Sequence, residues 1–159
     1  MERMFLPSKL TKKMKISKNF RMVEFAVSAS YPHLVAPVPL HLHCNVVSLV
    51  LGVLQPICDK TGWRDYISSG YRNYALNRAV GGSVSSDHLY ARAADNNFYR
   101  VVAGRREEVA PIDVARVVQS LGLEYDQMIL YPTFVHIGYR LGGNRNQLLY
   151  SGNYTGKRL

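Results

Sequence analysis

Ser86-Asp87-His88-Leu89-Tyr90-Ala91-Arg92-Ala93-Ala94-Asp95 is the stretch on which the reading of this chain turns. From Ala93 to Phe98 the residues read as extended, and the two-residue period of a strand sends Ala93, Asp95 and Asn97 to one face. His88 lies in the loop that enters this strand, so an imidazole and a carboxylate can converge at its start. Far downstream, Phe134 to Arg140 alternates as a final strand, with His136 on the side of Phe134 and Gly138 and with Val135, Ile137 and Tyr139 opposite. An adjacent antiparallel strand could therefore supply a third ligand. Two imidazoles and one carboxylate suit Zn²⁺, and three protein ligands leave a fourth position for water, the arrangement of a catalytic rather than a structural site. Water held there ionises near neutral pH.

Outward from this stretch, Tyr66 to Ser69 reads as a short strand. Asn73 then caps a helix through Ala75, Leu76 and Val80 that ends at Gly81-Gly82, and the loop Ser83 to Asp87 follows. From Leu40 to Cys58 the residues Val46, Val50, Val53, Leu54 and Ile57 recur at helical spacing, which makes this the main core helix. Pro56 should kink its last turn, and Gly62 should close it. A short amphipathic helix is expected over Met22 to Ala29, broken by a surface loop bearing Pro32, Pro37 and Pro39. Asp113 to Leu121 reads as a helix stopped by Gly122, and Gln127 to Tyr131 as a strand. These elements predict an α+β domain with a small, mostly antiparallel sheet and flanking helices. The expected divisions are a flexible basic arm over 1–18, the domain over 19–150 and a flexible tail over 151–159.

The chain has 159 residues, 47% of them apolar, which fits one domain with a real core. The apolar stretch Val46 to Leu54 is interrupted by Ser48 and Gly52, so no membrane insertion is expected. Its 20 Lys and Arg against 11 Asp and Glu give a net charge of +9, which attracts polyanions: nucleic acid, anionic lipid or anionic wall polymer. No helix-turn-helix, zinc-finger or aromatic-platform signature accompanies the charge, and no specific nucleic-acid partner is expected. Cys44 and Cys58 cannot form a disulfide framework and read as buried thiols of a reducing compartment. The basic N-terminus has neither an apolar run nor a small-residue cleavage site, which argues against a secretory signal. His33, His41, His43 and Cys44 form a second tempting cluster, but residues two apart on a helix point away from each other, so His41 and His43 do not share an ion.

Ser69-Gly70-Tyr71-Arg72, Asn77 with Val80-Gly81-Gly82-Ser83, Ser86-x-His88 followed by Asp95, and Phe134-x-His136 together resemble the zinc D-alanyl-D-alanine peptidases of the hedgehog/DD-peptidase fold. The likeness covers roughly Lys15 to Leu149. Ile16-Ser17-Lys18-Asn19-Phe20 and Asn144-Arg145 are similar to phage-encoded members. The resemblance implies a zinc-dependent peptidase with His88, Asp95 and His136 as metal ligands. It also implies that Arg72 binds a substrate carboxylate or steadies an oxyanion and that Ser86 contacts substrate, although Ser86 could equally cap its loop. The substrate would be the stem peptides of peptidoglycan, cut by a D,D-carboxypeptidase or an endopeptidase in phage lysis or wall penetration. A monomer made in the bacterial cytoplasm and acting in the periplasm or wall is expected.

Three departures bear on catalysis. Where the family has Gly between the His and the Asp, this chain has Ala91, a matter of weight if that position needs a positive φ. The family's two usual places for an acidic base hold Tyr131, after Asp126-Gln127-Met128-Ile129-Leu130, and Thr133, three residues before His136. Asp126 and Tyr131 remain as candidates to move the proton. The alternative reading is a weak or inactive metal-containing module that binds wall peptides.

Overall fold

The computed structural model describes residues 14–159 of the chain. Its longest helix, α1 (Leu40–Thr61), places Val46, Leu49, Val50, Val53, Leu54 and Ile57 on one sealed stripe of the core. Pro56 has no N–H, so the helix cannot keep its usual bonding there; Val50–Leu54 widens to a π turn in which Gln55 N–H donates to the Val50 carbonyl. The proline thus produces a wide turn before it, and the helix runs on to Gly62, whose φ of +71° lets its N–H close on the Cys58 carbonyl at 2.8 Å. By length and mean hydropathy of 1.5, α1 could cross a membrane, but its apolar stripe is packed into the core instead. Cys58 is buried and its thiol is pushed up to about 12 by burial, whereas Cys44, expected to be buried, lies on the exposed side of the helix.

Among the described residues the sheet has six strands: β1 (Arg64–Ser69), β2 (Ala93–Val102), β3 (Arg105–Glu108), β4 (Gln127–Leu130), β5 (Val135–Gly138) and β6 (Gln147–Tyr150). Their order is β1-β2-β5-β4-β6, with β3 on the outer part of β2. Every pairing is antiparallel except β4 with β6. Ala94, Phe98, Val135, Ile137, Met128 and Leu130 form the buried face and join one cluster with the stripe of α1 and with Val114, Ala115 and Val118 of a second helix, Pro111–Ser120. Each such large side chain sealed from water contributes about 1.5–3 kcal/mol. The opposite face of the sheet carries the polar cleft described below. The α+β architecture agrees with the sequence reading.

Four local expectations change. The helix over Met22 to Ala29 is only a 3₁₀ turn, Met22–Phe25, because Ala26 leaves helical geometry and the chain turns to pair with the sheet edge, Ser28 opposite Ser69. The last predicted strand is confined to β5, and β6, to which the sequence reading assigned no element, follows it at the end of the span expected for the domain. Beyond β6, Tyr154 is buried against the core and its hydroxyl donates to the Lys157 carbonyl. Strand β3, missed in the sequence, forms a hairpin with β2 through Ala103 and Gly104, both at positive φ. Of the N-terminal arm, residues 1–13 lie outside the described residues. Within 14–18, Ile16 packs on the core and Ser17 Oγ donates to Gln55 Oε1 at 2.6 Å.

Candidate metal centre

One cross-strand row positions the site. Ser69 of β1 pairs with Asp95 of β2, Asp95 with His136 of β5, and His136 with Ile129 of β4. Directly opposed residues in an antiparallel pair project from the same face, so Asp95 and His136 meet without any loop bringing them together. His88 arrives from above the row on a single 3₁₀ turn, Asp87–Tyr90, whose entry is capped by Ser86 Oγ accepting from His88 N–H. The turn leaves through Ala91 at φ +52°, so the positive φ for which a glycine would serve is indeed required there.

The side chains of His88, Asp95 and His136 bring three donor atoms together. His88 Nε2 lies 3.2 Å from His136 Nδ1 and 3.3 Å from Asp95 Oδ1, and His136 Nδ1 lies 3.0 Å from the same Oδ1. An ion bound tetrahedrally at about 2.0–2.1 Å separates its ligand atoms by about 3.3–3.4 Å, so the trio is spaced for Zn²⁺ within a few tenths of an ångström. Their chemistry fits as well. His88 Nδ1 faces the Gly70 carbonyl at 2.7 Å, and a carbonyl only accepts, so the proton sits on Nδ1 and the Nε2 lone pair faces the cluster. Burial pushes the His88 pKa below its ordinary value, which keeps the imidazole neutral. Burial acts to raise Asp95, but its carboxylate attracts any proton carried by the two imidazoles that face it, at 3.3 and 3.0 Å, and this outweighs burial and holds the carboxyl well below the usual range. Neutral imidazole and ionised carboxylate are the forms that ligate metal.

The cleft above the trio encloses about 660 Å³ and is rimmed by Gly82, Ser83 and Ser85 on one side and by Ile129, Tyr131 and Arg140 on the other. Arg72 lies on its floor, donating from Nε to Ser69 Oγ at 3.1 Å and from Nη2 to Asp95 Oδ2 at 3.5 Å. It therefore braces the Asp95 carboxylate as well as presenting a cation to the cleft. Asn73 caps its helix, Tyr74–Ala79, as expected, through a 2.8 Å bond from Leu76 N–H. That helix ends in Gly81-Gly82, and a side chain on Gly82 would collide with the Asn77 amide carbon at 2.8 Å.

Among the other residues singled out, Ser86 lines the cleft and also caps its turn. Tyr131 lines the cleft with its ring stacked on Phe134 at 4.3 Å, and burial, followed by the Asp95 charge, raises its pKa. Asp126 is not brought to the trio. It is fully sealed, takes two hydrogen bonds from the Arg145 guanidinium at 2.9 and 2.8 Å, and lies 3.1 Å from Arg140 Nε. Thr133 is exposed in the turn between β4 and β5. Among the described residues His41 and His43 join no metal cluster; His43 Nε2 faces the Val38 carbonyl at 3.0 Å. Among the described residues the acidic groups lining the cleft are Asp95 and Asp87, and both Asp87 oxygens accept from Arg140 Nη2, at 3.1 and 3.2 Å.

Sequence reading missed Arg140 and Arg145 as cleft residues. The signal for Arg140 was present, since His136, Gly138 and Arg140 keep one strand face by alternation. No curated protein matches the chain. A family model described as Peptidase M15 matches residues 18–138, a span that holds the whole donor trio and Arg72, and the chain therefore belongs to the M15 peptidase family.

Proposed function

We propose that this protein is a zinc metallopeptidase that cleaves the stem peptides of peptidoglycan, as a D,D-carboxypeptidase or endopeptidase, in phage lysis or wall penetration. The observation that carries the reading is the convergence of His88 Nε2, Asp95 Oδ1 and His136 Nδ1 inside a chain of the M15 family. Held by these three atoms, Zn²⁺ would supply Lewis acidity and lower the pKa of water to near neutrality. The chain's own groups do the rest. His88 keeps its proton at Nδ1 on the Gly70 carbonyl, leaving Nε2 to the ion. Arg72 meets a substrate carboxylate or the oxyanion that develops at the scissile carbonyl. Tyr131 keeps its phenolic proton at neutral pH, because burial raises its pKa, so it serves as a donor to an oxyanion or to the leaving amine rather than as a base. Anionic wall polymers are a fitting partner for a chain of net charge +9, and they support action in the periplasm or wall after synthesis in the cytoplasm.

A second reading, a metal-containing module that binds wall peptides with little or no turnover, is favoured by one observation. Asp126 is committed to two arginines, and Thr133 stands exposed where an acid is usual. Digestion of purified peptidoglycan by the zinc-loaded protein, with mass spectrometry of the fragments, separates the two. Slow release of defined stem-peptide fragments is expected. Binding of wall peptides with none cut at any pH would leave the module.

A further inference from the structure

We propose that Gly70 is the positioning residue of the metal centre: lacking a side chain, it lets the Met22–Phe25 turn close onto its Cα, and that contact aims its carbonyl at His88. Gly70 is buried, and a Cβ on it would overlap the Phe25 carbonyl and come within 2.7 Å of that carbonyl's carbon. These obstacles are backbone atoms and cannot rotate aside. The peptide units around Gly70 are held by the same N-terminal segment: Tyr71 N–H donates to the Phe25 carbonyl at 2.7 Å and Gly70 N–H to the Val27 carbonyl at 3.3 Å. On its other side the Gly70 carbonyl accepts from His88 Nδ1 at 2.7 Å, and Arg72 N–H donates to the His88 carbonyl at 3.0 Å. Ring and backbone of His88 are thus both fixed by residues 70–72, and residues 70–72 are fixed by the turn.

A histidine ligand needs its second nitrogen bonded so that the first presents its lone pair at a set angle, and loss of such a partner weakens metal binding about 10- to 100-fold. Gly70 touches neither ion nor substrate; its effect passes through His88. Any residue with a Cβ at position 70 must push the turn away or swing the carbonyl off Nδ1, and either movement frees the imidazole. The proposal rests on the metal reading above, and its test keeps the two apart.

The test compares Gly70→Ala, Phe25→Leu and wild type with Gly62→Ala, which strains a left-handed position distant from the cleft and serves as the control for lost stability. Zinc affinity is measured by chelator competition, and the His88 tautomer is read in the zinc-free protein from long-range ¹⁵N–¹H correlations. Wild type should show the Nδ1–H form. Gly70→Ala should mix tautomers and bind zinc about 10- to 100-fold more weakly, and Phe25→Leu should show a smaller loss in the same direction. Gly62→Ala should lose stability with its zinc affinity unchanged. Should Gly70→Ala fail to fold, Phe25→Leu against Gly62→Ala decides. Unchanged tautomer and affinity in the folded variants, or an equal loss in the control, overturns the positioning role. Failure of wild type itself to bind zinc would overturn the metal reading instead.

Discussion

The central strands of this protein present two surfaces offset by a single residue. On one, Ala94, Phe98, Val135, Ile137, Met128 and Leu130 are sealed among apolar neighbours; on the other, Asp95, His136, Ile129 and Tyr131 line an open cleft. The buried surface contributes free energy by removing carbon from water. The cleft surface does the reverse, holding a carboxylate and two imidazoles out of full solvation and compensating them by hydrogen bonds from one to another and to Gly70 and Arg72. The lesson is that stability and chemistry are carried by neighbouring residues of the same strands, so substitutions one residue apart should have different consequences.

The largest effect is expected from pairing Ile137→Ala with a His88→Ala, His136→Ala double variant. Ile137→Ala should cost about 2–5 kcal/mol in chemical denaturation, enough to threaten the fold of a domain this size. The double variant, altered on the other surface, should remain folded and lose stoichiometric zinc in metal analysis. Full zinc occupancy after removal of both imidazoles would break the distinction between the surfaces.

Arg72→Ala comes next. A charge-assisted contact to a carboxylate is worth about 1.5–3 kcal/mol, so kcat/KM on a wall peptide should fall by about 10- to 100-fold. Because Arg72 also braces Asp95 Oδ2, zinc affinity should fall with it, and Arg72→Lys should restore only part of either, having lost the planar fork. Equal turnover by wild type and Arg72→Ala would remove the arginine from the reaction.

Asp126→Asn tests a charge that serves stability. Its carboxyl is held below its ordinary pKa by the hydrogen bonds of Arg145, aided by the charge of Arg140. A depressed folded-state pKa contributes stability that is complete above the unfolded value near 4 and is lost as pH falls through the folded one. The variant should therefore be about 2 kcal/mol less stable at pH 7 and should converge on wild type in acid denaturation curves. Zinc should be retained, and turnover should fall less than in Tyr131→Phe. Abolished turnover with zinc in place would give Asp126 a role that its position does not explain.

Ala91→Gly should have the smallest effect. Relief of the left-handed backbone is worth about 1 kcal/mol, and the lost burial of a methyl group offsets most of it at about 0.8 kcal/mol. A change in unfolding free energy of less than about 1 kcal/mol is expected; a larger gain would show that the turn stores more strain than one residue accounts for.

The convergence of His88, Asp95 and His136 was legible because their positions follow from local rules: two-residue alternation in β2 and β5, and a short loop that keeps His88 near Asp95. The core helix and its glycine stop were legible for the same reason. What escaped depended on distant partners. Arg105 to Glu108 has no apolar alternation to announce a strand, and it exists because β2 offers a free edge across a two-residue turn. Gln147 to Tyr150 follows a glycine-rich stretch and becomes a strand through a parallel pairing with β4, which no local pattern encodes. Asp126 looked like a spare acid until Arg140, at the end of the last expected strand, and Arg145, beyond it, closed on its carboxylate.

The direct pairing of Asp95 with His136 also bears on how the chain reaches its native state. A one-residue slip of β5 along β2 would turn His136 toward the apolar side and dissolve the donor set. An ion bound by both residues therefore stabilises only the correctly aligned strands, by RT ln(1 + [Zn²⁺]/Kd), and leaves slipped alignments without help. Zinc present during refolding would favour the aligned strands, and an insertion or deletion that shifted His136 off Asp95 would forfeit that stabilisation.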